Sequence, residues 1–341
     1  MLCKKQKTKQ EKDWSKKIEM SQEKSKVISR IKEPDYGFTS NDLEVIQVVP
    51  ENHMISEVPR YVEIRNEFAI YDGLLKSKKP LLIKGPKGIG KTLSIASWVA
   101  QRPKVPFIQY DCSEGTKESH LVGRPIIHKS GTTPFKLGII PTMIELANKT
   151  GLAVLCLEEI GSLPPAMQKL LNPLLDWRCG IYVEALEKTY HLEKNSKLIL
   201  FATSNPSSNG GIYELNHDLK SRFATWVWNY PDSKDEMNLV NKTSVPAGFV
   251  TGVFKLAEET RALEKKGNID YAISTRDIAD MFDLYRSYKG INEINAMVTV
   301  LELKVLGNYE QEEEIDTIKS RIESIFGTSI LKNVETNSIE A

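Results

Sequence analysis

Residues 80–92 read Pro80-Leu81-Leu82-Ile83-Lys84-Gly85-Pro86-Lys87-Gly88-Ile89-Gly90-Lys91-Thr92, and this stretch decides the fold. A short apolar run ends in Lys84 and is followed at once by the spacing G-x-x-x-x-G-K-[ST]. An apolar-periodic segment over 93–101 comes next, so the motif lies between a strand and a helix, as a phosphate-binding loop requires. Gly85, Gly88 and Gly90 let the backbone bend through Pro86 and turn the N–H groups of Lys87 and Ile89 inward around phosphate oxygens. The N-terminus of the following helix adds favourable partial charge. In such a loop Lys91 reaches the β- and γ-phosphates and the Thr92 hydroxyl holds Mg²⁺. The candidate cofactors are therefore ATP and Mg²⁺, with residues 85–92 as the cradle.

Further apolar runs extend the pattern in both directions. Residues 105–111 form a second short strand, and 152–157 form a continuous apolar run closed by two acids. Residues 198–203 and 225–228 add two more strands, and helical patterns at 141–148 and 165–176 separate them. Continuous apolar runs suit strands buried on both faces. Strand–helix alternation of this kind implies right-handed βαβ units and a parallel sheet covered on both sides. The fold class is thus α/β, a P-loop NTPase three-layer αβα sandwich. Upstream, 43–50 and 61–71 alternate loosely. Beyond Pro231 the character changes to amphipathic helices at 234–243, 251–265, 275–288, 291–305 and 312–326. The expected organisation is a basic tail over 1–35, a nucleotide-binding domain over 36–231, a helical lid over 232–330 and a flexible end over 331–341.

Three further elements carry candidate chemistry. Glu158 and Glu159 end the apolar run, 67 residues after Lys91. A metal ion and an attacking water both need acids beside the phosphates. Glu158 is the expected metal neighbour and Glu159 the general base. Read without context, the pair is a strand end with solvated carboxylates. Asn205 sits at the tip of the 198–203 strand, where an amide can orient the same water, although Asn-Pro is also a turn signal. Arg222 precedes the 225–228 strand, and Arg276 lies in Ser274-Thr275-Arg276-Asp277, which also reads as an N-cap followed by a polar first turn.

Composition removes several classes. A net charge of +1 supplies no general field for nucleic acid. Residues 1–35 hold eleven Lys or Arg against six Asp or Glu with few apolar residues, the signature of a disordered segment. No apolar h-region follows those lysines, and no run nears the roughly 18 residues of a membrane helix. Cys3, Cys112, Cys156 and Cys179 form no CxxC pair, so a reducing cytoplasmic setting is expected. His53, His120, His128, His191 and His217 lack metal-ligand spacing.

Taken in order, these elements resemble the AAA+ superfamily. Glu118-Ser-His-Leu-Val-Gly123-Arg124, Gly138-Ile-Ile-Pro141, Glu159-Ile-Gly-Ser-Leu-Pro-Pro165 and Leu174-Leu-Asp-Trp-Arg-Cys-Gly-Ile-Tyr-Val183 look like its MoxR branch, and Lys84-Gly-Pro with Ser274-Thr-Arg-Asp277 resembles the CbbQ/NorQ subfamily. The resemblance covers about 55–280. It implies ring hexamers with ATP at subunit interfaces, Arg222 as an arginine finger in the neighbour's site, Asn205 as sensor 1 and Arg276 as sensor 2, which acts in cis or, as in related branches, in trans. It implies hairpins at 125–137 and 180–196 that line the pore or face. It also implies chaperone-like remodelling of a protein client, metalloenzymes included, often with a von Willebrand A-domain partner. Glu158 stands where most members carry Asp, so metal contact there is direct or through water. Two other readings compete. A nucleic-acid-directed motor wants basic hairpins, whereas 126–137 carries only His128, Lys129 and Lys136 and 180–196 is balanced in charge. A nucleotide-binding switch with little turnover would follow from the Glu158 departure.

Overall fold

The computed structural model describes residues 44–55, 57–127, 133–205, 213–288, 290 and 292–327. The expected tail over 1–35, the end over 331–341, and His128 and Lys129 of the first hairpin lie outside them.

The apolar runs form one five-stranded parallel sheet. Its strands are β1 (Leu81–Lys84), β2 (Phe107–Asp111), β5 (Leu152–Glu158), β8 (Lys197–Ser204) and β9 (Ala224–Val227), in the order β2-β5-β8-β1-β9. In β5, Ala153, Leu155 and Leu157 face one core, while Val154 and Cys156 face another. In β8, Leu200 and Ala202 again oppose Ile199 and Phe201. Side chains alternate across a strand, so a strand covered on both faces must be apolar at every position. That is why the run over 152–157 shows no polar interruption.

Helices α1 (Glu67–Ser77) and α2 (Lys91–Ala100) cover one face, with Tyr71, Trp98 and Phe201 packed edge to face. The other face holds α3 (Glu118–Leu121), a hairpin of β3 (Gly123–Pro125) and β4 (Phe135–Leu137), and α4 (Ile139–Thr150). A second antiparallel hairpin, β6 (Gly180–Val183) with β7 (Lys188–His191), follows α5 (Pro165–Leu170). After α6 (His217–Lys220) and β9, the chain is helical: α7 (Ser233–Leu239), α8 (Ala247–Lys265), α9 (Thr275–Ser287), α10 (Glu293–Lys304) and α11 (Glu312–Phe326). These helices enclose a core of their own around Phe249, Phe282 and Ile318. Among the described residues no helix is long and apolar enough to cross a membrane.

Several boundaries differ from the sequence reading. The helix expected over 165–176 stops at Leu170. Pro173 lacks an N–H and disfavours helical backbone at Asn172, so the chain turns instead. The loose alternation over 61–71 is irregular chain to residue 66 and the start of α1 from Glu67. Residues 44–46 lie against β4, with Ile46 N–H donating to Phe135 at 3.0 Å and Phe135 N–H to Glu44 at 2.7 Å. Helix α8 begins at Ala247 rather than 251, because Pro246 suits the N-cap and Phe249 and Val250 are buried.

Candidate functional site: a nucleotide cleft at the strand tips

The carboxyl ends of β1, β5 and β8 meet where the strand order reverses, the position at which open α/β sheets bind ligands. A cleft of about 550 Å³ opens there, a size suited to a small cofactor. Its polar lining includes Lys87–Thr92, Glu158, Glu159, Asn205 and Arg276, and its apolar lining includes Tyr61, Val62, Leu239, Val240 and Ala279.

The loop after β1 is glycine-dependent for local reasons. A Cβ on Gly85 would stand 2.5 Å from the Trp228 carbonyl. Gly88 has φ +72, and a Cβ there would stand 2.3 Å from Ser274 Oγ. The backbone N–H groups of Lys87, Gly88, Ile89 and Gly90 have no partner among the described residues. Unsatisfied donors beside a cavity are costly unless an anion or water takes them. This loop therefore fits a nucleotide's phosphates.

Lys91 is only 8% exposed, and its ammonium donates to Gly85 O at 2.7 Å, Pro86 O at 2.7 Å and Asn205 Oδ1 at 2.9 Å. Burial pulls its pKa down to about 8, with Glu159 and Glu158 pulling the other way. Asn205 also donates through Nδ2 to Glu159 Oε1 at 2.9 Å. Glu159 has left-handed backbone, φ 49 and ψ 49, and its N–H donates to Thr203 Oγ1 at 3.3 Å. A non-glycine residue in that region is held there by its surroundings. Thr92 Oγ1 donates to Glu158 Oε2 at 2.7 Å, and Gln109 Nε2 donates to Glu158 Oε1. A hydroxyl and a carboxylate in contact form an oxygen pair that fits Mg²⁺, which takes oxygen ligands.

Arg276 enters from the first turn of α9, capped by Ser274 and Asp277, and its N–H donates to Gly88 O at 3.2 Å. It lines the same cleft as Lys91. Arg222 does not. It lies beside Asp176, with Nη2 3.9 Å from Oδ2, so the chain does not bring Arg222 to its own Lys91.

Sequence reasoning missed Tyr61, Val62 and Gln109. Tyr61 is fixed by the fully buried Glu67, which accepts from Tyr61 OH at 2.7 Å and from the Arg65 N–H at 2.9 Å. An acid just ahead of an apolar helix was the only signal. Gln109 had none, because its contact with Glu158 depends on the β2–β5 register.

Parallel sheet, glycine loop, buried lysine and paired acids together define a P-loop ATPase of the AAA+ type. Residues 80–223 match the family described as AAA domain (dynein-related subfamily). The chain is 24% identical to protein CbbQ of Hydrogenophilus thermoluteolus over 66% of this chain and 80% of that one. It is 25% identical to the denitrification regulatory protein NirQ of Stutzerimonas stutzeri, over 67% of this chain and 80% of that one. Protein NorQ of Paracoccus denitrificans is 24% identical over 69% of this chain and 83% of its own. Residues 80–223 thus form an AAA-type ATPase domain, and the chain is related to CbbQ, NirQ and NorQ.

Proposed function

We propose that this ATPase works as a ring, a hexamer of identical subunits, that remodels or activates a protein client in the cytoplasm. The carrying observation is the split between Arg222, placed against Asp176, and the connected set Lys91–Asn205–Glu159 in the cleft. A site that lacks a cation its family pattern includes is completed by a second copy.

On this reading residues 85–91 cradle the phosphates, and Thr92 and Glu158 hold Mg²⁺. Mg²⁺ held there would offset phosphate charge. Glu159 takes the proton of the attacking water, Asn205 orients that water, and Arg276 reaches the phosphates from the same chain's lid. Arg222 stabilises developing charge in the adjacent copy. The natural division is a nucleotide domain to residue 231 and a lid from 232. One relative's name, denitrification regulatory protein, supports action on another protein, and a von Willebrand A-domain protein is the partner proposed from the family pattern. A metalloenzyme client belongs to the same proposal. The β6–β7 hairpin sets Glu184, Glu187 and Glu193 against Lys188 and Lys194 and offers no basic track for nucleic acid.

Two experiments test this. Glu159→Gln keeps an oxygen for the Asn205 hydrogen bond but cannot take the proton, so it binds ATP and loses about 10²-fold or more in kcat. Lys91→Ala loses ATP binding instead. Retention of more than about a tenth of kcat in Glu159→Gln removes the base assignment. For the ring, Arg222→Ala binds ATP but loses about 10³-fold in hydrolysis, the scale of other arginine fingers. Mixed with Lys91→Ala, it regains activity at interfaces that join an intact loop to an intact arginine. No regain between demonstrably exchanging subunits rules out action in trans.

A further inference from the structure

Asp176 lies in the turn after α5, 46 residues before Arg222. Its carboxylate is largely covered and is taken by Arg178: the Arg178 N–H donates to Oδ1 at 2.9 Å, Nε to both oxygens at 3.1 Å, and Nη2 to Oδ2 at 2.6 Å. The Arg178 guanidinium holds the Asp176 carboxyl below the usual carboxylate range, and Arg222 adds to that. The acid is therefore charged under all working conditions. Arg222 stands 3.9 Å from Oδ2, close enough for attraction and too far for a hydrogen bond. Its Nε is buried and has no hydrogen-bond partner among the described residues.

Such a contact differs from a structural ion pair. An arginine that closes a fold typically spends its donors in a bidentate grip on one carboxylate. Here Asp176 gives that grip to Arg178, and Arg222 is oriented by charge while its terminal donors stay available. Next to Asp176 in the chain is Trp177, 90% exposed, the most exposed large apolar side chain among the described residues. A cation with uncommitted donors and an indole standing in water share one edge of the subunit, outside the cleft.

We propose that Asp176 is a positioning residue for hydrolysis in the neighbouring copy, aiming Arg222 at that copy's phosphates. This rests on the ring reading above. The carboxylate attracts Arg222 while the subunit is alone and fixes the direction of its side chain. When a second copy presents its phosphate loop, Arg222 is already in place and its uncommitted terminal donors take the phosphate oxygens. Pre-set orientation of this kind lowers the barrier because it need not be organised during the reaction.

Asp176→Asn is the informative change. The amide oxygen still accepts the Arg178 N–H, so the turn survives, but the charge that orients Arg222 is gone. The expected result is a fall in kcat of about 10-fold to 100-fold, the scale of a small misplacement, with KM for ATP and thermal midpoint nearly unchanged. Mixed with Lys91→Ala, Asp176→Asn regains activity, because its own loop then meets an intact arginine edge. Mixed with Arg222→Ala, it does not, because both copies bring a faulty edge. Recovery in that last mixture would place Asp176 on the loop side of the interface and overturn the inference. So would a kcat equal to wild type, or a loss that the Lys91→Ala mixture leaves unrepaired while the midpoint holds. Failure of the Arg222→Ala and Lys91→Ala pair would sink the ring reading and this inference with it. Success of that pair with failure of the Asp176 pair would sink this inference alone.

Discussion

Replacing Gly88 by Ala tests whether the lid and the phosphate loop touch. Gly88 has φ +72, in the left-handed region, where a side chain costs about 1–2 kcal/mol. The added Cβ would also stand 2.3 Å from Ser274 Oγ, 2.7 Å from Ser274 Cβ and 3.2 Å from Arg276 Cβ. Inserting a carbon into such a contact costs about 1–3 kcal/mol more. Gly90 supplies the control: its φ is +85, and the nearest atom to a new Cβ is Tyr61 Cε2 at 3.5 Å, an ordinary contact. Gly90→Ala therefore carries only the backbone cost. At roughly 2–4 °C per kcal/mol for a domain of this size, the thermal midpoint of Gly88→Ala should lie at least about 2 °C below that of Gly90→Ala. Scanning calorimetry without nucleotide reads this directly. Ser274→Gly removes both nearest atoms, and glycine in place of serine at an N-cap costs only a few tenths of a kcal/mol. The double substitution should then recover about 1 kcal/mol or more relative to additivity. Equal midpoints for the two alanine variants, or strict additivity of Gly88→Ala with Ser274→Gly, would refute the contact.

Two further outcomes follow from the acids and the lysine. Lys91 sits at about pKa 8 without ligand, below the usual lysine value. Above pH 8 the empty site has begun to lose that proton, and anionic phosphates restore it. ATP binding at pH 9 should therefore take up protons and weaken as pH rises, and calorimetry in buffers of different ionisation enthalpy would show no buffer dependence if this is wrong. Gln109→Leu leaves Glu158 Oε1 without its donor. Outer-shell losses commonly cost about 10-fold or more in metal affinity, so the Mg²⁺ concentration for half-maximal ATPase should rise by that factor. An unchanged Mg²⁺ dependence removes Gln109 from the site.

What the sequence displayed and what it hid follow from the range of each signal. Strands β1, β5 and β8 are legible because burial on both faces admits no polar residue, and the pattern is written within a few positions. The loop over 85–92 is legible for the same reason, since its glycines answer to backbone geometry within one turn. The end of α5 was mislocated because periodicity continued past Leu170 while Pro173 acted against it. Contacts set by register or by distant loops leave no local mark. Gln109 reaches Glu158 only because β2 lies beside β5 with Asp111 opposite Glu158. Asp176 and Arg222 meet only after the β6–β7 hairpin and strand β8 have been placed. The apolar lining of the cleft gathers Tyr61, Val240 and Ala279 from three separated segments, and no one of them is unusual where it stands.

The Asn205 amide carries a constraint that reaches beyond its own contacts. Its oxygen accepts from the Lys91 ammonium and its nitrogen donates to the Glu159 carboxylate. A flipped amide would set N–H against ammonium and oxygen against carboxylate, so charge on both sides determines which way it points. In the ligand-free cleft Lys91 is thus satisfied by three neutral oxygens: two loop carbonyls and this amide. A phosphate oxygen adds full charge–charge attraction to the hydrogen bond, so on the proposed reading Lys91 exchanges these partners for phosphate oxygens at a net gain. That exchange frees the Asn205 oxygen while its nitrogen still holds Glu159. On the proposed reading the state of the phosphate loop is therefore passed to the base through one side chain. Glu159 is held by the amide before the site is loaded, and Asn205 gains a free oxygen to direct toward a water once Lys91 has turned away. The left-handed backbone of Glu159 fits the same arrangement, since it turns the carboxylate off the strand axis and toward β8, where Asn205 waits.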